Sequence, residues 1–212
     1  MSLGRSSEAR ELQLMSFGKR VFDIAMGIWS QGLTERDHKP EIRAVLGLSI
    51  VPWDAYCGKM AEEVWLRAGV DGEFDSVGKA LYGWGYGNRM SSDPEAALAF
   101  ESYPEQPRER VLDRLVSDDL ELIRIGDIIL HQASPRSYNG HVMIALSGPD
   151  KRGQILTFEG NAKGYACLPG KPSKLLQGEG LILNVRSIRD GYIDWLLRPS
   201  ADDIEDTSEG KI

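Results

Sequence analysis

The feature of the sequence that most constrains the fold is a change of pattern near its middle. Residues 8–31 repeat apolar side chains at helical spacing, and residues 57–68 do so again. The second half instead contains short β-rich runs divided by turn-like segments, namely GDIILHQ, GHVMIAL, QILTFEGN, LILNVRS and YIDWLLR. Helices first and an antiparallel meander second predict an α+β fold.

The domain organisation follows from length and composition. A chain of 212 residues with 42% hydrophobic content has room for one sizeable core. We predict a helical extension over residues 1–45, one principal domain over residues 46–200, and a polar, disordered tail over residues 201–212. An exposed helix is also predicted for PEQPRERVLDRLVSDD, residues 104–119.

Charge and cysteine content exclude several classes of protein. The net charge of −7 argues against a nucleic-acid partner, which would require clustered Lys and Arg. No window reaches the ~18 apolar residues of a membrane span, and charges interrupt the N-terminal apolar stretch where a signal peptide would have none. The chain is therefore predicted to stay in the cytoplasm as made. Cys57 and Cys167 lack the paired spacing of a zinc site, so neither metal nor cofactor is predicted, and Cys167 is interpreted as a bystander.

Cys57 is placed at the start of the predicted helix DAYCGKMAEEVW. Free backbone N–H groups and the positive end of the helix dipole favour a thiolate at such a position, and the thiolate is the nucleophilic form of cysteine. The same amides can bind the oxyanion of a tetrahedral intermediate. Cys57 is also in phase with the apolar face of the helix, so a packed, inert cysteine is the alternative interpretation.

A nucleophilic cysteine needs a base and a residue that orients the base. Of the three histidines, His141 begins a β-run and can present its imidazole to a helix N-terminus, whereas His131 is the second choice. The next run ends in TFEGN, where Glu159 and Asn161 share a face by strand alternation unless Gly160 introduces a bend. Either side chain could orient the imidazole, and ordinary turn chemistry is the alternative for both.

The order of these segments resembles the CHAP family of cysteine- and histidine-dependent amidohydrolases and peptidases, with NlpC-like peptidases as close relatives. The resemblance covers residues 51–199 and is carried by PWDAYCGKMAEEVWLRAGV, SVGKALYGWG, IRIGDIILHQ, GHVMIAL, FEGNA and VRSIRDGYIDWLLRP. It implies a papain-like fold, with N-terminal helices and a catalytic cysteine at a helix N-terminus packed on an antiparallel sheet. The principal domain, residues 46–200, would then be a CHAP/NlpC-like catalytic domain.

The resemblance also implies roles for individual residues. Cys57 would be the nucleophile, His141 the general base and then the acid, and Glu159 or Asn161 the orienting group. The backbone N–H groups of Tyr56 and Cys57 are the candidate oxyanion hole. The chain departs from the family after the cysteine, where members often have a CAxFV-like pattern and this sequence has GKM.

The family's usual substrate is peptidoglycan, cleaved at the sugar–peptide link or within the stem peptide. Trp53, Trp84 and Tyr86 are aromatic candidates for binding a sugar or a peptide. A wall substrate would require delivery by a lysis system or a secretion machine, and an antibacterial effector would be accompanied by an immunity protein. The alternatives are a cytoplasmic isopeptide or small-amide hydrolase with the same Cys-His unit, and a papain-like binding module without turnover.

Overall fold

The structure, a computed structural model, describes residues 6–47, 56–70, 111–112, 123–132, 140–167, 174–175, 180–187, 193–199, 201 and 204. Over these residues the chain forms three α-helices and an antiparallel β-sheet, which confirms the α+β prediction. The helices are α1 (Ser7–Trp29), α2 (Lys39–Val45) and α3 (Cys57–Arg67). None of these helices is both long and apolar enough to cross a membrane.

The sheet contains eight described strands, five of which have five or more residues. The strands are β1 (Val111–Leu112), β2 (Ile128–Gln132), β3 (Gly140–Ala145), β4 (Gln154–Ala162), β5 (Tyr165–Ala166), β6 (Lys174–Leu175), β7 (Gly180–Ser187) and β8 (Ile193–Leu197). Their order across the sheet is β1-β8-β2-β3-β4-β7-β5-β6. The strands β2, β3 and β4 are therefore consecutive neighbours, and β7 pairs with the far edge of β4.

The structure corrects one helix prediction. Within residues 104–119, Val111 and Leu112 form β1 and pair with Leu197 and Leu196 of β8. Pairing with β8 provides interstrand hydrogen bonds on one side of this short segment, and β-branched Val suits a strand, so tertiary contact outweighs the local helical pattern. The other residues of that segment lie outside the described ranges.

One hydrophobic core joins the helices to the sheet. Its buried members include Phe17 and Val21 from α1, Met60 and Val64 from α3, and Phe158 from β4. Burial of apolar surface contributes a favourable free energy of roughly 25 cal/mol per Å². This burial is the main force that holds α1 and α3 against the strands. The N-terminal helix therefore contributes directly to the core that supports α3.

The position of α3 is fixed by contacts of the C-terminal half of this helix. The Trp65 indole N–H donates to the Gly126 carbonyl at 2.8 Å, and its ring meets the Phe17 ring edge-to-face with centroids 5.9 Å apart. The helix ends at Arg67, and Gly69, which follows the C-cap residue Ala68, has a φ of 89°, the left-handed conformation that favours glycine after a helix. With this half anchored, the N-terminal end of α3 is directed at β3 and β4.

An ion pair with a buried carboxylate joins the start of β2 to the residue that follows β8. Asp127 precedes β2, and its carboxylate accepts hydrogen bonds from Arg198 Nε at 2.8 Å and Arg198 Nη2 at 2.7 Å. The Arg124 backbone N–H donates to the same carboxylate at 2.8 Å. Burial raises the pKa of Asp127, and the hydrogen bonds and charge of Arg198 offset only part of that effect.

Candidate active site

Cys57 is the first residue of α3, and its side chain is buried. The preceding residue, Tyr56, is the N-cap, but its side chain makes no capping hydrogen bond. A helix start without a side-chain cap leaves its first backbone N–H groups available to another acceptor. The acceptor here is the Cys57 sulfur, which receives the N–H of Gly58 and, from β3, the N–H of Val142.

His141 is the second residue of β3, so it lies at the end of the strand beside the start of α3. The Cys57 thiol and the His141 ring are hydrogen-bonded to each other. The far ring nitrogen, Nε2, lies 2.9 Å from Glu159 Oε2. Because an ionised carboxylate can only accept, Nε2 carries a proton and Nδ1 is the nitrogen that pairs with the sulfur.

Glu159 lies on β4 and is completely buried. Its two oxygens accept five hydrogen bonds from His141, Thr157, Asn184 and, twice, Arg186. Burial alone would raise the pKa of Glu159, but the hydrogen bonds from Arg186 and then His141 hold it well below its usual range. Glu159 is therefore ionised throughout the pH range in which most proteins are folded.

The electrostatics of the site favour a thiolate–imidazolium pair. Burial opposes the charged form of Cys57, yet the hydrogen bond and charge of His141 keep the pKa of the thiol below its ordinary value. Burial likewise lowers the pKa of His141, but hydrogen bonds to Cys57 and Glu159 raise it to about 9. The raised pKa of His141 and the lowered pKa of Cys57 both favour a proton on the ring and a thiolate on the sulfur.

The start of α3 is held unusually close to β4 by a glycine. A Cβ atom at Gly160 would lie 2.9 Å from Cε2 of the Tyr56 ring and 3.2 Å from the Met60 Cβ. Only a residue without a side chain permits this approach. Tyr56, a predicted oxyanion-hole residue, thus contacts β4 through its ring, while the N–H of Cys57 lies in the first helical turn, where no acceptor exists within the helix.

Of the two candidates for orienting His141, Glu159 is the residue hydrogen-bonded to it. Asn161 lies in a β-bulge between Glu159 and Ala162, and its φ of 57° is left-handed. The bulge breaks the alternation that would have put Glu159 and Asn161 on one face. The bulge is the kind of bend at Gly160 that the sequence leaves open as an alternative to a shared face.

Three residues around Glu159 were not anticipated from the sequence. Thr157 donates to Glu159 Oε1 at 2.6 Å, and Asn184 Nδ2 donates to Oε2 at 3.2 Å. Arg186 Nε donates to Oε1 at 2.7 Å. The available signal was alternation, since Thr157 and Glu159 are spaced by two on β4, as are Asn184 and Arg186 on β7. Using it required knowing that β7 pairs with β4.

The aromatic candidates Trp53, Trp84 and Tyr86 lie outside the described residues. His131, the second choice for the base, lies on β2, where its backbone is in register with that of His141.

The described residues contain no group of three or more His, Cys, Asp or Glu side chains arranged to hold a metal ion. Both cysteines are free thiols, with Cys57 buried and Cys167 partly exposed. Comparison with protein-family models, curated proteins and solved structures finds no match to this chain. The contacts among Cys57, His141 and Glu159 define the chemistry that this site can support.

Proposed function

We propose that this protein is a cysteine hydrolase that cleaves amide bonds through a thioester acyl-enzyme. One observation carries the proposal: a thiol at a helix N-terminus is hydrogen-bonded to an imidazole whose far nitrogen donates to a buried carboxylate. This is the arrangement of nucleophile, base and orienting group that acyl transfer requires.

The contacts support a defined sequence of steps. The Cys57 thiolate attacks the amide carbonyl carbon, a C–S bond forms, and the carbonyl electrons move to oxygen, where N–H groups at the α3 N-terminus can stabilise the charge. His141 then donates its Nδ1 proton to the leaving nitrogen as the C–N bond breaks. In the second half, neutral His141 takes a proton from water, which attacks the thioester and releases a carboxylic acid and Cys57.

The proposed substrate is a peptide amide bond of peptidoglycan, within the stem peptide or at its link to the sugar, and the proposed fold is papain-like. Both rest on the resemblance to CHAP and NlpC-like enzymes. Helices followed by an antiparallel sheet, with Cys57 heading α3 and His141 and Glu159 on neighbouring strands, are compatible with that family. Delivery to a cell wall and neutralisation by an immunity protein remain part of the same proposal.

Replacing Cys57 by Ala tests the function. We expect release of muropeptide fragments, measured by liquid chromatography and mass spectrometry, to fall by at least about 1,000-fold, because the nucleophile is lost. Cys167→Ala is the matched control and should retain wild-type rates. Hydrolysis that survives Cys57→Ala would rule out Cys57 as the nucleophile.

A second candidate, hydrolysis of a cytoplasmic isopeptide or small amide, uses the same three residues. The net charge of −7 and the sequence-based expectation of a cytoplasmic location favour it. A panel of muropeptides and peptide–amide conjugates separates the two by their relative kcat/KM values. Binding of a wall fragment without turnover, together with an unreactive Cys57, would instead indicate a binding module.

A further inference from the structure

Arg186 approaches Glu159 from β7, on the side of the carboxylate away from Cys57. We propose that Arg186 is a positioning residue of the site, which acts through Glu159 to hold the His141 ring in place and keep Cys57 reactive. The role assigned to Arg186 rests on the proposed function, since it concerns the same cysteine. It can nevertheless be tested without a substrate, because thiolate reactivity is measurable on the free enzyme.

The strand register explains how Arg186 reaches the site. Across the β4–β7 pair, Arg186 is opposite Ile155, whereas Glu159 is opposite Ile182. The two residues are therefore offset by four positions, or about 13 Å along the strand. The extended arginine side chain crosses the intervening Thr157–Asn184 pair, and its Nε and Nη2 reach separate oxygens of Glu159. A shorter cationic side chain could not span this offset with two hydrogen bonds.

The contact fixes both the charge and the orientation of Glu159. Two parallel N–H···O bonds from one guanidinium restrict the orientation of a carboxylate, and Oε2, one of the two oxygens held by Arg186, also receives His141 Nε2. The carboxylate is fully buried, so without a cation its ionised form would be strongly disfavoured. Arg186 is 37% exposed on its side chain and supplies the positive charge from the solvent side.

Loss of Arg186 raises the pKa of Cys57 whichever way Glu159 responds. If Glu159 stays ionised, the site loses a positive charge and the thiolate is less favoured. If Glu159 becomes protonated, the imidazolium loses its carboxylate partner, and the thiolate–imidazolium pair is again less stable. Both routes predict that a smaller fraction of Cys57 is in the thiolate form at a given pH.

Other charged or titratable groups lie on the elements packed at the site. On α3, Lys59 is paired with Glu62 at 2.5 Å. On β2, the backbone of His131 is in register with that of His141. The substitution of Arg186 changes none of these residues, and among the described residues Arg186 contacts Glu159, which is hydrogen-bonded to His141, which in turn is hydrogen-bonded to Cys57.

The test is the rate of Cys57 alkylation by iodoacetamide from pH 4 to pH 10. A Cys167→Ala background leaves Cys57 as the single cysteine. In this background Arg186→Met should shift the rise of the alkylation rate with pH to higher pH by at least about one unit. At pH values below the midpoint of that rise, the rate should therefore be about tenfold lower than in the parent protein. Arg186→Lys keeps the charge but loses the two-pronged contact and should give a smaller shift.

Arg198→Met is the matched control. Arg198 makes the same kind of two-pronged contact with a buried carboxylate, Asp127. Asp127 precedes the end of β2 that is distant from His141, about 13 Å along the strand from the residue paired with it. Arg198→Met should therefore leave the alkylation profile unchanged, even if it lowers the melting temperature.

An unchanged profile in folded Arg186→Met would overturn the proposal. If that variant does not fold, Arg186→Gln, which keeps an amide donor without the charge, replaces it, and an unchanged profile there overturns the proposal equally. The function and the role of Arg186 can fail separately. A shifted profile in a protein that hydrolyses no amide would support Arg186 and reject the hydrolase, and hydrolysis with an unchanged profile would do the reverse.

Discussion

The structure contains two buried carboxylate–arginine pairs that look alike and behave differently. Asp127 and Glu159 are both buried, and each receives a two-pronged contact from one arginine, Arg198 or Arg186. Yet the pKa of Asp127 is raised and that of Glu159 is lowered. At Asp127 the hydrogen bonds and charge of Arg198 do not outweigh burial, whereas at Glu159 the hydrogen bonds and charges of Arg186 and His141 together do.

The difference in carboxyl pKa matches a difference in contacts. The Asp127–Arg198 pair joins two strands of the sheet, whereas the Glu159–Arg186 pair adjoins a histidine that can gain or lose a proton. Asp127 connects the start of β2 to the residue after β8, and its third hydrogen bond comes from a neighbouring backbone N–H. Glu159 instead contacts a titratable ring, and that ring contacts a thiol. The proposed reaction requires a low carboxyl pKa only in the second case, because a carboxylate that orients His141 would have to remain charged while the ring gains and loses a proton.

The largest expected effect of breaking either pair is on stability, and it should be greater for Asp127. Arg198→Met leaves a buried carboxylate without its cation, and we expect the free energy of unfolding to fall by about 3 kcal/mol. Arg186→Met should cost about 1 to 2 kcal/mol, since Arg186 is more exposed and Glu159 keeps other donors. Urea denaturation at pH 7 measures both values. If Arg186→Met lowered the free energy of unfolding more than Arg198→Met, the Asp127–Arg198 pair would not be the one that mainly stabilises the fold.

The next effect concerns the imidazole and should be confined to the Glu159 pair. Glu159→Gln removes the negative charge beside Nε2, so the pKa of His141 should fall from about 9 by at least about one unit. Asp127→Asn should leave it near 9. Titration of the imidazole resonances by NMR resolves this, because the chain has only three histidines. Equal His141 pKa values in both variants would show that Glu159 does not govern the ring.

The smallest effect is a difference in acid sensitivity with opposite signs for the two carboxylates. The folded-state pKa of Glu159 lies below its ordinary value, so its contribution to stability is complete above about pH 4.5 and is lost as the pH falls below that. The folded-state pKa of Asp127 lies above its ordinary value of 3.8, so acidification favours the folded state through this group.

Between pH 6 and pH 4, Glu159→Gln should therefore lose less stability than the wild type, and Asp127→Asn should lose more, each by about 1 kcal/mol or less. Urea denaturation at both pH values gives the two differences. If both variants lost more stability than the wild type between these pH values, or both lost less, the opposite pKa shifts of Glu159 and Asp127 would be contradicted.

Much of the architecture could be predicted from local patterns. Helical spacing indicated α1 and the helix from Cys57, and period-two runs between turn residues indicated β2, β3, β4, β7 and β8. His141 and Glu159 were identified because each lies on such a run. These features depend on residues close together in the chain, where one periodicity determines one element.

The surroundings of Glu159 could not be predicted, because they depend on which strands become neighbours. Alternation assigns Asn184 and Arg186 to one face of β7 but does not reveal that β7 pairs with β4 or in what register. The choice between Glu159 and Asn161 depended on a bulge of one residue. Val111 and Leu112 formed a strand for a similar reason, since the edge that they join lies far along the chain.

Four side chains form a line from β7 to α3, namely Arg186, Glu159, His141 and Cys57. In the proposed thiolate–imidazolium state their charges alternate as cation, anion, cation and anion, so the line carries no net charge. In the proposed reaction the negative charge moves from sulfur to the carbonyl oxygen, and then disappears when His141 gives its proton to the leaving group. The total stays at zero at every stage. A site built this way can be enclosed by protein and needs to admit only the water that hydrolyses the thioester, because no step of the proposed reaction leaves an unbalanced charge in the interior.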